Sequence, residues 1–263
     1  MFKFSLLTIK SLLKDRIFII ILSLCFLFFS VPVFSSFSMR QVQEVGITMS
    51  LTLNSFILLL LSIFGGMATV WRDIEKKSIY SLLSYPINRS QYLLGRFMGC
   101  VILLLMISVI NFFLSAIVIK ICASMYKSRL PILWENISFA FLFTFFKYIL
   151  LLAIGFLCIS FSTSFFTPFF LTIAIYIAGN ASQGIYEYVL NEAAKKYPFW
   201  FKDIIKTIYY FLPNFSAFDF TAHASYALKM SYKSLLFTSF YFLSYFLIII
   251  SLACIIFSRR DML

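Results

Sequence analysis

Six long apolar stretches dominate this chain, and no other feature restricts its fold as strongly. Each has 18 to 24 residues, close to the ~20 that a helix needs to cross the ~30 Å hydrocarbon layer of a bilayer. Lipid admits only elements that satisfy their own backbone hydrogen bonds, which favours helices here. The sequence therefore predicts an all-α integral membrane protein, a six-helix bundle forming a single domain over residues 1–263, with spans at 17–38, 47–70, 97–119, 137–160, 165–182 and 234–257.

The charged residues are too few for a water-soluble fold. They make up 12% of the chain, against about 25% in ordinary globular proteins, and the mean hydropathy is +0.97. The same numbers exclude intrinsic disorder, which needs low hydrophobicity. The five cysteines are widely separated and include no CxxC pair. We therefore expect buried thiols rather than disulfides or metal ligands.

The basic residues lie mainly between the spans and predict the orientation of the chain. Lys and Arg total 22 against 10 for Asp and Glu. Eleven of them lie before span one, between spans two and three, or after span six, whereas four lie in the opposite short loops. Because basic residues favour the cytoplasmic side, we expect a multi-pass plasma-membrane protein with both termini in the cytoplasm. Nucleic-acid binding is not indicated, since no stretch interleaves basic residues with exposed aromatic ones.

The first span has an alternative interpretation as a cleaved signal peptide. It follows a basic start, and Val33 and Ser35 suit the −3 and −1 positions of a cleavage site. Its 22 uncharged residues, however, exceed a typical signal-peptide core. Cleavage would also leave the two basic ends on opposite sides of the membrane, so a retained span is favoured.

Residues 1–16 predict a helix lying in the cytoplasmic interface. Apolar residues recur there at helical spacing, and three lysines fall largely on another face, as in interfacial amphipathic helices. The alternative is an ordinary basic flank that anchors span one. The apolar set is Phe2, Leu6, Ile9 and Leu13, and the basic set is Lys3, Lys10 and Lys14.

Residues 71–92, between spans two and three, predict a short cytoplasmic helix that docks onto another surface. Acidic Asp73 and Glu75 come first and two lysines follow, the order that the helix dipole favours. An apolar patch then recurs at i, i+3 and i+4, and a proline ends the helix. The membrane surface, the bundle itself and another protein are all possible docking partners. The patch is Ile79, Leu82 and Leu83, and the proline is Pro86.

Residues 183–233, between spans five and six, form an extracytoplasmic segment that is too apolar for a solvated loop. Aromatic and aliphatic residues surround Lys202, Asp203 and Lys206. This pattern predicts a helix at the outer interface that ends before Pro213. The aromatic residues could equally form only an interfacial belt.

Lys147 is the one charged residue within the predicted spans, near the middle of span four. A lysine at mid-bilayer costs about 2.5–3.5 kcal/mol on insertion scales, so it should face protein or a water-filled path. The alternative is a side chain that snorkels to the interface. No acidic residue lies within a predicted span to pair with it. Lys147 is therefore a candidate for the translocation path.

No pattern typical of catalysis, metal binding or nucleotide binding occurs in the chain. The single histidine, His223, has Asp219 as its one evident companion, and a lone pair does not make a metal site. There is no G-x-x-x-x-G-K-[ST] loop to bind a nucleotide phosphate. We therefore predict no catalytic, cofactor-binding or metal residues in this chain, and expect any ATP dependence to come from another polypeptide.

A stretch of the same cytoplasmic segment resembles the signature of ABC-2 type transporter permeases. The matching features are a Glu, a Leu-Leu pair, a Pro, an Arg and a Tyr-Leu-Leu-Gly-Lys-like ending. The chain departs from the signature at Lys77-Ser78, where Gly-Thr is usual. The matching residues are Glu75, Leu82-Leu83, Pro86, Arg89 and Tyr92-Leu93-Leu94-Gly95-Arg96, supported by Leu212-Pro213-Asn214-Phe215 and by the terminal Arg259-Arg260-Asp261-Met262-Leu263.

The resemblance implies that the chain is the non-catalytic permease subunit of an ATP-driven exporter working by alternating access. Two permeases, identical or related, would pair with two ABC ATPase subunits that hold ATP and Mg. Residues 73–85 would be the coupling helix, and the outer helices after span five would close the exit. The ATPase-docking residues would be Asp73, Glu75, Ile79, Leu82, Leu83, Pro86 and Arg89.

Two other classes remain open from the residues alone. An ion-coupled carrier should hold ionisable residues in several spans and broken helices at the midplane. An integral-membrane enzyme should show a nucleophile, a metal site or an acid–base pair. The sequence shows neither set. Its aromatic, nearly uncharged spans are compatible with a lipid, a peptide or a hydrophobic drug as cargo.

Overall fold

A computed structural model of the protein describes residues 2–13, 16–38, 40–75, 89–126, 128, 130–164, 166–189 and 198–259. Within these ranges the regular elements are all helices. The all-α prediction is therefore confirmed. The helices are α1 (Phe2–Leu13), α2 (Arg16–Cys25), α3 (Val31–Ser36), α4 (Val42–Leu60), α5 (Met67–Glu75), α6 (Arg89–Met125), α7 (Trp134–Phe161), α8 (Phe166–Glu187), α9 (Phe199–Phe211), α10 (Thr221–Ser225) and α11 (Tyr232–Arg259).

Five helical stretches in the described part of the chain are long and apolar enough to cross a membrane. They overlap five of the six predicted spans. The remaining predicted span, 165–182, coincides with α8, which turns polar in its second half at Asn180, Ser182 and Gln183. The count of six spans therefore stays a prediction. The five stretches are Phe18–Ser36, Val42–Asp73, Arg89–Met125, Trp134–Phe161 and Tyr232–Arg259.

The first apolar stretch is not a continuous α-helix. A 3₁₀ turn over Phe26–Ser30 joins α2 to α3, and Pro32 lies in the first turn of α3. Proline lacks an N–H, and its ring clashes with the carbonyl four residues earlier, so α-helical bonding cannot run through this point. The tighter 3₁₀ turn keeps the chain helical across the break.

The second stretch begins earlier than predicted and contains an acid. α4 begins at Val42 rather than at residue 47, so it includes Glu44, which is buried. Glu44 thus lies in the same helix as the predicted span 47–70, just before its first residue. The Ser128 hydroxyl donates to Glu44 at 2.5 Å, and the amide of Gln43 donates to the Leu130 carbonyl at 3.1 Å. These bonds engage Gln43 and one carboxylate oxygen of Glu44, whereas the other oxygen, Oε2, is buried without a hydrogen-bond partner among the described residues.

A π-helical turn over Leu61–Gly66 connects α4 to α5. Such turns insert one extra residue into a helix and occur frequently at functional sites. α5 then continues in the same direction through Glu75. The second apolar stretch is therefore one long helix whose two parts are separated by this turn.

α7 lies at the centre of the bundle. Tyr148, Leu150 and Phe156 on it are fully buried, and it packs against α6, α8 and α11. α11 in contrast leaves large side chains such as Phe237 and Phe240 exposed, a surface suited to lipid. All five cysteines are free thiols and four are buried, as the sequence predicts.

The segment after α8 returns into the bundle. The predicted helix within residues 183–233 is present as α9, which ends at Phe211, and Tyr186 of α8 stacks on Tyr209 with ring centroids 4.3 Å apart. A 3₁₀ turn follows over Phe215–Phe218, and both of these phenylalanines are fully buried. A Cβ at Gly179 of α8 would lie 2.5 Å from the Pro213 carbonyl oxygen. Only glycine permits this approach, which places residues 213–221 against the core.

Candidate functional site

A polar cluster lies between the two helices that flank residues 76–88 in the sequence. Asp73 belongs to the last turn described for α5, and Tyr92 and Arg96 belong to the first turns of α6. The Arg96 guanidinium forms an ion pair with Asp73, and the Tyr92 hydroxyl donates to the same carboxylate oxygen at 2.5 Å. The Arg96 side chain is only 9% exposed. Both ends of the segment are thus fixed to one another.

The same cluster holds α1 against α6. Arg96 donates to the Thr8 hydroxyl at 3.2 Å. Beside this bond, a Cβ at Gly99 would lie 2.6 Å from the Thr8 Cβ, so the two helices touch through small residues. The Tyr92 ring also stacks on Phe257 near the end of α11, with centroids 6.2 Å apart. We call Thr8, Asp73, Tyr92 and Arg96 the junction cluster, because α1, α5, α6 and α11 meet there.

α1 packs on the bundle through a face other than its predicted apolar face. Ser5, Thr8 and Leu12 are buried, whereas Leu6 and Leu13 are exposed. Small side chains let two helix backbones approach closely, which is how helices associate in lipid. Leu6 and Leu13, which belong to the predicted apolar face of the interfacial helix, therefore point away from the bundle, where they suit lipid. The placement of α1 in the interface stays a prediction.

The predicted ATPase-docking residues divide into two groups. Asp73 faces inward to Arg96, so its carboxylate is engaged within the chain. It also belongs to the helix that continues the second apolar stretch, and the predicted coupling helix 73–85 lies outside the described residues from residue 76 onward. Glu75 is exposed and Arg89 is half-buried at the start of α6. The others, namely Ile79, Leu82, Leu83 and Pro86, lie outside the described residues.

Lys147 faces the interior of the protein. Its residue is 9% exposed, and its ammonium donates to the Asn180 side-chain oxygen at 2.8 Å. The ammonium also lies 5.3 Å from the ring centroid of Tyr176 and 6.0 Å from that of Tyr148, within the range of cation–π attraction. Of the two sequence interpretations, the inward-facing one agrees with this geometry.

A polar cavity opens beside Lys147. It has a volume of about 160 Å³, and Lys147 and Asp219 both line it. A second cavity of about 470 Å³ shares Asp219 and Thr221 as walls. Asp219 is itself exposed, and one of its oxygens accepts a bond from the Thr221 backbone N–H at 3.0 Å. The remaining lining of the smaller cavity is Leu51, Thr52, Ser55, Thr144, Phe218 and Thr221.

Comparison with models of known protein families assigns this chain to a family. A family model described as an ABC-2 family transporter protein matches residues 8–262. The chain belongs to this family. A search of curated proteins finds no match. The protein is accordingly a multi-pass membrane permease of the ABC-2 transporter family, as the signature around Glu75 and Arg96 predicts.

Two residues beside Lys147 of this ABC-2 permease were missed by sequence reasoning. Asn180 lies in α8 and Asp219 follows the 3₁₀ turn, 33 and 72 positions away in the sequence. Asp219 was paired with His223 instead, because the inward path of residues 213–221 was not expected. One signal was present: Phe215, Phe218 and Phe220 are too apolar for a solvated loop.

Proposed function

We propose that this ABC-2 permease is the membrane subunit of an ATP-driven exporter in the plasma membrane, with both termini cytoplasmic. Two permease chains, identical or related, associate with two separate ATPase subunits, which hold ATP and Mg. The chain itself performs no catalysis. Family membership supports a permease, and the basic residues around the junction cluster support the orientation.

The proposal rests on the contacts that hold the two flanks of segment 76–88 together. Both ends of this segment meet at the Asp73–Arg96 ion pair, and Arg96 is bonded in turn to Thr8 of α1. A displacement of the segment by a docked ATPase is therefore passed at once to α1, α5 and α6. Chains of packed side chains and hydrogen-bonded groups of this kind can carry coupling between distant sites.

The docking contact itself would use the surface of the segment. Ile79, Leu82 and Leu83 would fill an apolar cleft of the ATPase while Glu75 and Arg89 set its register, because buried apolar anchors carry most binding energy and rim charges mainly orient partners. Asp73 then acts through Arg96 rather than by touching the ATPase. ATP-driven closure of the two ATPases would move the segments as rigid bodies and switch the access of the bundle.

The cargo path would run along the cavity at Lys147. A buried cation in a membrane helix marks a water-filled or substrate-lined route by default. The return of residues 213–221 into the bundle, next to this cavity, supports an outer gate formed by the segment after α8. Opening would then require residues 213–221 to separate from Gly179 and its neighbours.

Co-purification tests the proposal. The tagged chain, coexpressed with its cognate ABC ATPase and extracted gently, should retain that ATPase, and the complex should hydrolyse ATP whereas the chain alone should not. Recovery of only the tagged chain, under conditions that keep known transporter complexes intact, would contradict the proposal.

An ion-coupled carrier is the second candidate, because Lys147 and Asp219 provide two ionisable groups on one cavity. It predicts solute movement driven by a proton or sodium gradient in vesicles without ATPase. Movement that requires ATP and the ATPase subunit excludes it.

A further inference from the structure

We propose that the cavity between Lys147 and Asp219, the charge-pair cavity, binds a zwitterionic group with an anionic end at Lys147 and an ammonium end at Asp219. The proposal deepens the proposed function by naming the cargo chemistry. It therefore rests on the cavity being part of the cargo path.

The first support is that the two charges share a cavity without neutralising each other. The structure describes both residues, and they form no direct ion pair; Lys147 donates to neutral Asn180 instead. An ammonium has three donors, and this bond uses one. Asp219 still acts on Lys147 electrostatically. A buried lysine without a carboxylate in contact is costly, so the site favours an anion that enters.

The second support is the arrangement of the two charges. Lys147 is buried, whereas Asp219 is exposed and also borders the larger cavity. An anion alone would be attracted by Lys147 and repelled by Asp219, and a cation alone would meet the reverse. A zwitterion oriented with its anionic end inward is attracted by both.

The third support is the neutral lining. Hydroxyls of Thr52, Ser55, Thr144 and Thr221 line the charge-pair cavity, and each retains acceptor capacity for a bound ammonium or hydroxyl group. The volume of about 160 Å³ equals about five water molecules at about 30 Å³ each. A small head group fits this space, and the rest of the ligand would extend into the larger cavity, whose walls include Gln183 and Ser216.

The shared chemistry is an ammonium group joined through a short linker to a phosphate or carboxylate. It could come from a free polar molecule or from a phospholipid head group. The test uses radiolabelled glycerophosphoethanolamine as the zwitterionic probe, on the purified full-length chain in nanodiscs of phosphatidylglycerol. Glycerophosphoglycerol, a phosphodiester anion, and ethanolamine, a cation, are the singly charged competitors, and lysophosphatidylethanolamine is the lipid competitor.

We expect saturable probe binding and at least tenfold weaker competition by either singly charged compound. Lys147→Met and Asp219→Asn should each weaken probe binding at least tenfold. The two variants should also shift the preference between the singly charged competitors in opposite directions. Lys147→Met should make ethanolamine the better of the two singly charged competitors, and Asp219→Asn should favour glycerophosphoglycerol. Lys147→Arg and Asp219→Glu, which keep the charges, should retain binding within about threefold. The matched controls Lys233→Met and Asp203→Asn, outside the cavity, should bind as wild type.

Competition separates the two sources. Stronger competition by the lysolipid than by unlabelled probe identifies a lipid head group, and equal or weaker competition identifies a free zwitterion. Absence of saturable binding, equal competition by the singly charged compounds, or unchanged selectivity in both charge-removing variants overturns the proposal. Because Asp219 is exposed, Asp219→Asn tests the proposal even if Lys147→Met fails to fold.

The assay contains no ATPase, so its outcome is independent of the co-purification experiment. Loss of ATPase recruitment with selective probe binding would contradict the proposed function alone. Recruitment without selective binding would contradict the zwitterion site alone.

Discussion

The Arg96 guanidinium lies against the Asp73 carboxylate, and this contact joins the two helices that flank residues 76–88. The two residues are 23 positions apart. Their side chains are 9% and 17% exposed, so the pair is shielded from water. It also has neutral partners, Tyr92 on one side and Thr8 on the other. The pair therefore holds α5 and α6 together, and through it a movement of segment 76–88 can be transmitted to the bundle.

Breaking this pair on one side should destabilise the protein. Arg96→Met leaves Asp73 without its charged partner, and removal of one member of a buried ion pair typically costs about 3–5 kcal/mol. Thermal unfolding in detergent should show a clearly lower Tm. The exposed Glu75→Gln should stay within about 0.5 kcal/mol of wild type.

The double variant Asp73→Leu/Arg96→Met tests directly whether the two side chains interact. It removes both charges, so it should be less destabilised than the sum of its single variants. Additive effects would show that the two side chains do not interact.

Gly99 should be intolerant of even a methyl group. A Cβ there would lie 2.6 Å from the Thr8 Cβ and 2.9 Å from the Ser5 carbonyl oxygen, so Gly99→Ala must displace α1, at about 1–3 kcal/mol for overpacking. Limited trypsin digestion should then cut more rapidly at Lys10. The matched control is Gly184→Ala, because a Cβ at Gly184 meets nothing within 4 Å. Equal digestion rates for the two variants would contradict the packing of α1 on α6.

ATPase docking should depend on Leu82 and Leu83. Replacing both with Asp would place two charges in the proposed apolar cleft, at a cost on the order of several kcal/mol if both are desolvated. Membrane insertion and protein level should stay near normal while the ATPase no longer co-purifies. Glu75→Lys should have a smaller effect, because an exposed ion pair is worth only about 0–1 kcal/mol. A double Asp variant that is degraded would assign these leucines to the packing of the bundle instead.

Both termini should be accessible from the cytoplasm. A reporter that fluoresces only there, fused to either end, should be bright, since eleven basic residues favour that side against four on the other. A C-terminal fusion that is stable yet dark would overturn the orientation and the even number of crossings.

The apolar stretches were predictable because they are local features: a helix in lipid needs about 20 consecutive apolar residues whatever surrounds it. The contacts were less predictable. The sequence assigned Leu6 and Leu13 to the interfacial face of α1, but it did not indicate that Ser5 and Thr8 would pack on α6, because small packing residues leave no hydrophobic pattern. The partnership of Lys147 with Asn180 and Asp219 depends on a chain reversal after α9, which no short sequence window encodes.

The π-helical turn at Leu61–Gly66 determines the direction in which the side chains of α5 point about the helix axis. Each residue of an α-helix advances the side-chain direction by about 100°, so the extra residue of the turn rotates α5 by that amount about the common axis. Asp73 points at Arg96 because of this offset. Deleting one residue from the turn would regularise the helix and yet swing the carboxylate about a quarter of a revolution off its partner. A small irregularity in the middle of a helix thus decides whether the helices that flank residues 76–88 are joined by an ion pair.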